Sequence, residues 1–176
     1  DTYSGYGARS RDLVRAIIQL DKYDVKILPQ MWGNTPWGFI EENPGWEFLN
    51  KYIWNQPQLN RQPEIWMQIT IPSEFQSVGK YNIGVTAGIE TTIAPAEWIE
   101  GCSRMNLILG SSEHTIKVLK ESKFEKRDQN TNQPVGVIEW KGDSEVIFEG
   151  ANTDVYKPVK STFDLSNIKE EFAYLF

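Results

Sequence analysis

The sequence has little cysteine and little histidine, with one residue of each among 176. Cys102 cannot form a disulfide within the chain, and His114 alone cannot anchor a zinc cluster. These two shortages exclude a disulfide-stapled secreted domain and a structural metal centre. We therefore expect a cytoplasmic protein that binds no metal.

Long apolar runs and an excess of positive charge are missing as well. No stretch approaches the ~18 consecutive apolar residues of a membrane span, and no signal-like segment opens the chain. Lysine and arginine number 18 against 24 aspartates and glutamates, which gives a net charge of −6. Such a chain has no diffuse positive field to attract phosphate backbones. We expect neither a membrane span nor a nucleic-acid partner.

The remaining composition is that of a globular domain. Hydrophobic residues make up 40% and charged residues 24% of the chain, which allows a real core and excludes disorder of the whole chain. The length suits one large domain. The sequence begins at Asp1 rather than at a methionine, and residues 172–176 form an apolar, aromatic end. These ends indicate a piece of a longer protein, and the apolar tail predicts docking on the domain or self-association.

Helical spacing of apolar residues alternates with short apolar runs along the chain. The patterns predict helices over residues 8–20, 46–54, 96–105 and 113–120, the last capped by Ser112. They predict strands over residues 24–31, 65–71, 81–89, 107–110, 135–140 and 146–148. Residues 32–44 are predicted to form a loop, and residues 117–130 a solvated helix end followed by a loop.

This alternation favours an α/β fold, a Rossmann-like and mostly parallel sheet with helices on both faces. In such sheets ligands bind in the crevice beyond the carboxyl ends of the strands. Candidate functional residues are therefore expected after strands and at the beginnings of helices.

A glycine-containing turn, Ser4-Gly5-Tyr6-Gly7, precedes the first predicted helix. Glycines let backbone amides approach a phosphate, and the positive end of a helix favours an anion, so the turn suits a diphosphate. The hydroxyls of Ser4 and Tyr6 add possible contacts. The same turn is equally compatible with a plain tight turn that binds nothing. Arg9, in the helix that follows, is compatible with phosphate or acceptor binding and with a solvated helix face, and the same holds for Arg11.

A second candidate, Glu90-Thr91-Thr92, follows the strand predicted over residues 81–89. A carboxylate at this position would face the crevice, where it could orient a sugar hydroxyl or stabilise developing positive charge. The alternative is that Glu90 caps the next helix or forms an ion pair. His114 is interpreted as a structural residue.

Seven tryptophans invite an interpretation as sugar-stacking surfaces, because aromatic faces pack on the C–H patches of sugars. Only Trp32 and Trp37 flank a loop that follows a predicted strand, so only these two are placed in a ligand cleft. The other five lie within predicted elements and are interpreted as packing residues: Trp46, Trp54, Trp66, Trp98 and Trp140.

The order of these motifs resembles that of a known enzyme family. The glycine turn is followed by Ile89-Glu90-Thr91-Thr92, by Pro95-Ala96-Glu97-Trp98-Ile99 and by the run from Met105 to Glu113. Near the end stands Phe148-Glu149-Gly150-Ala151-Asn152-Thr153-Asp154-Val155-Tyr156-Lys157-Pro158. Together they resemble the N-terminal half of GT-B glycosyltransferases, especially the large retaining family 4. Two departures are Asn106, where the family often has aspartate, and residues 149–152, where it usually has Asn-Gly-Val-Asp.

The resemblance implies a division of the chain and a set of roles. Residues 1–158 would form the N-terminal, acceptor-side domain, and residues 159–176 the crossover to a missing C-terminal domain. The donor would be a nucleotide-diphosphate sugar, bound without metal, with its diphosphate at Ser4, Gly5, Tyr6 and Gly7. A carbohydrate or other hydroxyl acceptor would bind at Trp32, Trp37, Thr91 and Thr92, and Glu90 would be catalytic. The fragment alone would be inactive.

Two other classes of protein remain open. The first is a noncatalytic sugar- or nucleotide-binding α/β module. The second is another Rossmann-like enzyme, such as a dinucleotide oxidoreductase. The second is disfavoured because position 10, where the third glycine of G-x-G-x-x-G would stand, is serine.

Overall fold

The computed structural model describes residues 1–128, 130–160, 166–167 and 169. The apolar tail, residues 172–176, and much of the predicted crossover segment, residues 159–176, lie outside the described residues. The described part contains a four-stranded, all-parallel sheet and a separate two-stranded sheet of Phe124–Arg127 and Pro134–Ile138. The strands of the parallel sheet lie in the order Ile65–Ile69, Tyr81–Thr86, Leu107–Gly110 and Asp143–Val146. The predicted α/β class and parallel sheet are confirmed.

Helices and strands alternate as the sequence patterns indicate. The helices are α1 (Gly5–Gln19), α2 (Phe39–Glu42), α3 (Ala96–Cys102) and α4 (Glu113–Glu121), with 3₁₀ helices at Glu47–Tyr52 and Pro72–Glu74. The strands are β1 (Ile65–Ile69), β2 (Tyr81–Thr86), β3 (Leu107–Gly110), β4 (Phe124–Arg127), β5 (Pro134–Ile138) and β6 (Asp143–Val146).

The main core lies on one face of the parallel sheet. Ile108 of β3 is fully buried there, with Ile99 of α3, Leu119 of α4 and Phe75. The continuously apolar sequence of β3 follows from this burial, since a strand covered on both faces has no solvent-facing position. Ser112 begins α4 by accepting a hydrogen bond from the Thr115 amide, as its position in the sequence predicts.

Helix α1 lies on the other face. Ile69, Val85 and Leu109 are register partners across β1, β2 and β3, so their side chains share the face opposite Ile108. Helix α1 contacts β1, and its first turn lies beside Ile69 and Val85. Helices therefore lie on both faces of the sheet.

Along the chain, each successive strand of the parallel sheet joins at the same edge. The described part of the sheet therefore contains no reversal of strand order. The crevice of doubly wound folds forms at such a reversal. Here the carboxyl edge of the sheet is instead enclosed by the first turn of α1.

The strand predicted over residues 24–31 is wrong. Only Ile27 makes a strand-like contact, a single parallel bridge to Ile53, with the Ile27 amide 2.9 Å from the Tyr52 carbonyl oxygen. The segment at Ile53 directly follows a 3₁₀ helix that ends at Tyr52. A branched-residue run does not form a strand where no partner strand lies beside it.

Two other expectations also differ from the structure. The loop predicted over residues 32–44 contains the short helix α2, and the helix predicted over residues 46–54 is a 3₁₀ helix. The predicted loop over residues 117–130 contains β4, which pairs antiparallel with β5, Phe124 opposite Ile138. Both side chains are partly buried against the core, and pairing with β5 makes a strand of a segment whose charges predict a loop.

Candidate functional site

A cleft of about 340 Å³ opens where the first turn of α1 meets the carboxyl ends of the parallel strands. The lining residues come from α1, the loop after it, and the ends of β1, β2, β3 and β6: Gly5, Tyr6, Arg9, Trp32, Ile69, Val85, Thr86, Ala87, Ser111 and Glu149. Three residues assigned from the sequence, Gly5, Tyr6 and Trp32, thus lie around one space.

Two aromatic rings form one wall of this cleft. The ring centroids of Tyr6 and Trp32 lie 4.7 Å apart, with the ring planes tilted by 47°. The Tyr6 hydroxyl is 3.1 Å from the Thr86 Oγ1 and accepts a hydrogen bond from the Ala87 amide at 3.3 Å. These hydrogen bonds hold the Tyr6 ring in position, and Trp32 packs against that ring.

The glycine turn divides into two pairs of residues with different surroundings. The Oγ of Ser4 accepts a hydrogen bond from the Gly7 amide at 3.0 Å and caps α1. Gly7 is buried, and a β-carbon at this position would collide with the carbonyl group of Thr2. Gly5 has open space where its β-carbon would be. The structure therefore places Ser4 and Gly7 in the helix start, and Gly5 and Tyr6 at the cleft.

The two arginines of α1 have separate environments. Arg9 lines the cleft and donates to the Ile147 carbonyl at 2.7 Å and to the Phe148 carbonyl at 3.3 Å, which ties α1 to the chain after β6. Arg11 is 7% exposed and donates to the Thr2 carbonyl at 2.7 Å.

The guanidinium carbon of Arg11 also lies 3.4 Å from the centre of the Phe39 ring. Burial lowers the pKa of Arg11 from its usual value. Arg11 is thus a buried structural cation, and the expectation of a solvated helix face does not hold for it.

Polar groups of the cleft stand directly after parallel strands. Ala87 follows β2 and Ser111 follows β3, and the Ser111 hydroxyl donates to the Ala87 carbonyl at 2.8 Å. Glu149 stands three residues after the end of β6 and contributes an exposed carboxylate. Sequence reasoning missed Ser111 and Glu149 as site residues. The signal that could have found them is their position beyond the carboxyl ends of strands.

Four other residues assigned to the site do not line the cleft. Glu90 is exposed in the bend at residues 90–92, and Trp37 is 41% exposed, with its backbone bridged to Thr2. The Thr91 hydroxyl donates to the Ile93 carbonyl at 2.9 Å. Thr92 lines a second, smaller hollow of about 120 Å³ beside α4, together with His114, Lys117, Val118 and Glu121.

His114, which lines this second hollow, is held by a contact with the backbone. The His114 Nε2 lies 3.2 Å from the Thr91 carbonyl oxygen, which agrees with a structural role.

Across the described residues, no three side chains of histidine, cysteine, aspartate or glutamate gather into a group able to hold a metal ion. No helix in the described part of the chain is long and apolar enough to cross a membrane.

Fold and cleft together define an α/β protein with a small-molecule-sized space at the carboxyl edge of a parallel sheet. No family model, curated protein or solved structure matches the chain.

Proposed function

We propose that the chain is the acceptor-side domain of a sugar-nucleotide-dependent glycosyltransferase, which transfers a hexosyl group from a nucleotide-diphosphate sugar to a hydroxyl acceptor. The motifs quoted above resemble those of GT-B enzymes. The parallel sheet with helices on both faces is compatible with one half of such an enzyme. In this proposal a second domain supplies the remaining donor contacts, no metal takes part, and the enzyme works in the cytoplasm.

One observation carries the proposal: the Tyr6–Trp32 ring pair lies at the carboxyl edge of the sheet, beside polar groups. Aromatic faces offer apolar contact to the C–H side of a sugar ring, while hydroxyls and carboxylates serve its hydroxyl groups. The cleft volume of about 340 Å³ lies at the lower end of the range for small-molecule sites. A sugar-binding cleft combines these three properties.

The residues of the chain would contribute chiefly by positioning. Glycosyl transfer needs the acceptor oxygen held near the anomeric carbon while the diphosphate leaves, and holding two reactants together lowers the barrier by several kcal/mol. Trp32 and Tyr6 would fix the plane of a sugar ring. Glu90 remains our candidate for the catalytic group. Its bend follows β2, and β2 ends at the cleft, although the Glu90 side chain itself does not line it.

The proposal is tested by titrating the ¹⁵N-labelled chain with nucleotide sugars (UDP-, GDP- and ADP-hexoses) and with simple saccharides, followed by two-dimensional NMR. We expect at least one sugar-containing compound to shift the amide signals of Gly5, Ala87 and Ser111. A dinucleotide cofactor that shifts these signals while every sugar compound leaves them unchanged would contradict the proposal and favour an oxidoreductase.

Catalysis is tested separately from binding. Sugar binding without transfer, in a longer protein that contains the second domain, would instead support a noncatalytic sugar-binding module. Transfer of a radiolabelled hexose by that longer protein, lost on Glu90→Gln with binding kept, would support both the activity and the role of Glu90. The matched control is Glu97→Gln, which changes another exposed glutamate, in the first turn of α3.

A further inference from the structure

We infer that the cleft binds an uncharged sugar ring, which stacks on Trp32 and donates hydroxyl hydrogen bonds to Glu149, and that it does not bind the phosphate groups of the donor. This inference rests on the proposed function and names the part of the substrate that the cleft takes. It replaces the diphosphate assigned to residues 4–7 from the sequence. Glu149 becomes the residue that determines specificity.

The charges of the cleft argue against an anion. Among the described residues that line it, Arg9 is the one cation, and its guanidinium already donates to the carbonyls of Ile147 and Phe148. Glu149, an exposed acidic residue, belongs to the same lining. A diphosphate placed here would meet one cation and one carboxylate, so the lining offers it no net positive charge, which is unfavourable wherever water is partly excluded.

Part of the glycine turn is already engaged within the helix start. The amide of Gly7 already donates to the Ser4 Oγ. Gly7 is a glycine because Thr2 packs against it, and this explains the residue without a ligand. Only Gly5 and Tyr6 of the turn reach the cleft. Gly7, one of the two glycines that suggested a diphosphate, therefore has a structural explanation.

The other groups of the cleft suit a sugar ring. Ile69 and Val85 give an apolar floor, the Tyr6–Trp32 pair gives an aromatic wall, and Glu149 gives an acceptor for hydroxyl protons. A hydrogen bond from a hydroxyl to a carboxylate is stronger than one to a neutral oxygen. The space of about 340 Å³ lies at the lower end of the range for small-molecule sites, which favours a small ligand.

Glu149→Gln separates the two ligand classes by the sign of its effect. Loss of the charge weakens hydroxyl hydrogen bonds, so the Kd of a neutral sugar should rise about 10-fold. The same loss removes a repulsion, so the Kd of an anion should fall. Glu145→Gln, on β6 and outside the cleft, is the matched control and should change neither affinity.

The experiment titrates the 176-residue chain and its variants with methyl glycosides of hexoses, pentoses and N-acetylhexosamines, and separately with inorganic pyrophosphate. Amide shifts at Gly5, Ala87 and Ser111 report binding in the cleft. We expect a methyl glycoside to bind there, the Kd to rise about 10-fold in Trp32→Ala and in Glu149→Gln, and little change in Trp37→Ala. Pyrophosphate should leave the three signals in place.

Two results would overturn the inference, and they bear differently on the proposed function. Pyrophosphate that shifts the cleft signals and binds more tightly to Glu149→Gln would show an anion site, which leaves a glycosyltransferase intact but assigns the cleft to its donor. Failure of every methyl glycoside to shift these signals overturns the inference outright. If nucleotide sugars fail as well, the proposed function falls with it.

Discussion

The hydroxyl of Tyr6 lies 3.1 Å from the Oγ1 of Thr86, so the first turn of α1 is fastened to the carboxyl end of β2. The same hydroxyl accepts the amide proton of Ala87. Tyr6 is therefore both a wall of the cleft and a tie between the two elements that form it. A change at Tyr6 should therefore affect both the stability of the sheet's carboxyl edge and the shape of the cleft.

Tyr6→Phe keeps the ring against Trp32 and removes both hydroxyl contacts. We expect the free energy of unfolding to fall by about 1 kcal/mol, because a partly buried hydrogen-bonding group loses its partner. Urea unfolding monitored by circular dichroism measures the change. Tyr81→Phe, at an exposed tyrosine on β2, is the control and should change stability by less than about 0.5 kcal/mol.

Gly5→Ala and Gly7→Ala should change stability in opposite directions. Gly5 lies in α1 with open space around its β-carbon position, so alanine should stabilise the helix by roughly 0.5 kcal/mol. At Gly7 the new methyl group would meet Thr2, and the N-terminal segment would have to move, at a cost of about 1–3 kcal/mol. Thermal unfolding of the two variants compares them directly. Equal effects would show that Thr2 does not pack as described.

Cys102 should be chemically inert in the native protein. Burial raises the pKa of its thiol from 9.0 to about 12, so the reactive thiolate is nearly absent at neutral pH. We expect a disulfide reagent such as DTNB to react at pH 8 only as fast as the chain unfolds. Because the pKa is raised in the folded state, native stability should fall as the pH rises above about 9. Rapid labelling without unfolding would contradict the burial of Cys102.

Glu139 should titrate at lower pH than an ordinary glutamate. Its carboxylate accepts a hydrogen bond from the Lys141 Nζ at 2.6 Å and lies 3.2 Å from the Lys123 Nζ, and these contacts, Lys141 first, lower its pKa from 4.5. The ion pairs are therefore present at neutral pH and are lost as the pH falls below about 4.5 through the lowered midpoint. Carboxyl-detected NMR measures this midpoint. Lys141→Ala should raise the midpoint, whereas Lys126→Ala should not.

The elements that sequence predicted best are those whose signals are local. Helix α4 has a capping serine at Ser112 and buried residues at helical spacing, and β3 is a short apolar run. The strand predicted over residues 24–31 failed because strand formation depends on a partner, and no local pattern shows whether one lies alongside. Strand β4 was missed for the same reason, since its partner β5 determines it.

The candidate site divides in a similar way. Gly5, Tyr6 and Trp32 could be named from turn chemistry and from their place in a loop, and the structure brings them together. Glu149 could have been named from its position beyond a strand end, but its place beside these three residues depends on where β6 joins the sheet and on the Arg9 contact to residues 147 and 148. The structural role of Gly7 was also hidden, since it comes from the packing of Thr2.

The central claim is that a sugar stacks on Trp32 in the cleft. It is tested most directly by isotope-edited NMR, which detects magnetisation transfer between the ring protons of Trp32 and the C–H protons of a bound methyl glycoside. The account predicts transfer from Trp32 and Tyr6, and none from Trp37, which lies outside the cleft. Transfer from Trp37 alone, or from neither tryptophan while the sugar is bound, would contradict it.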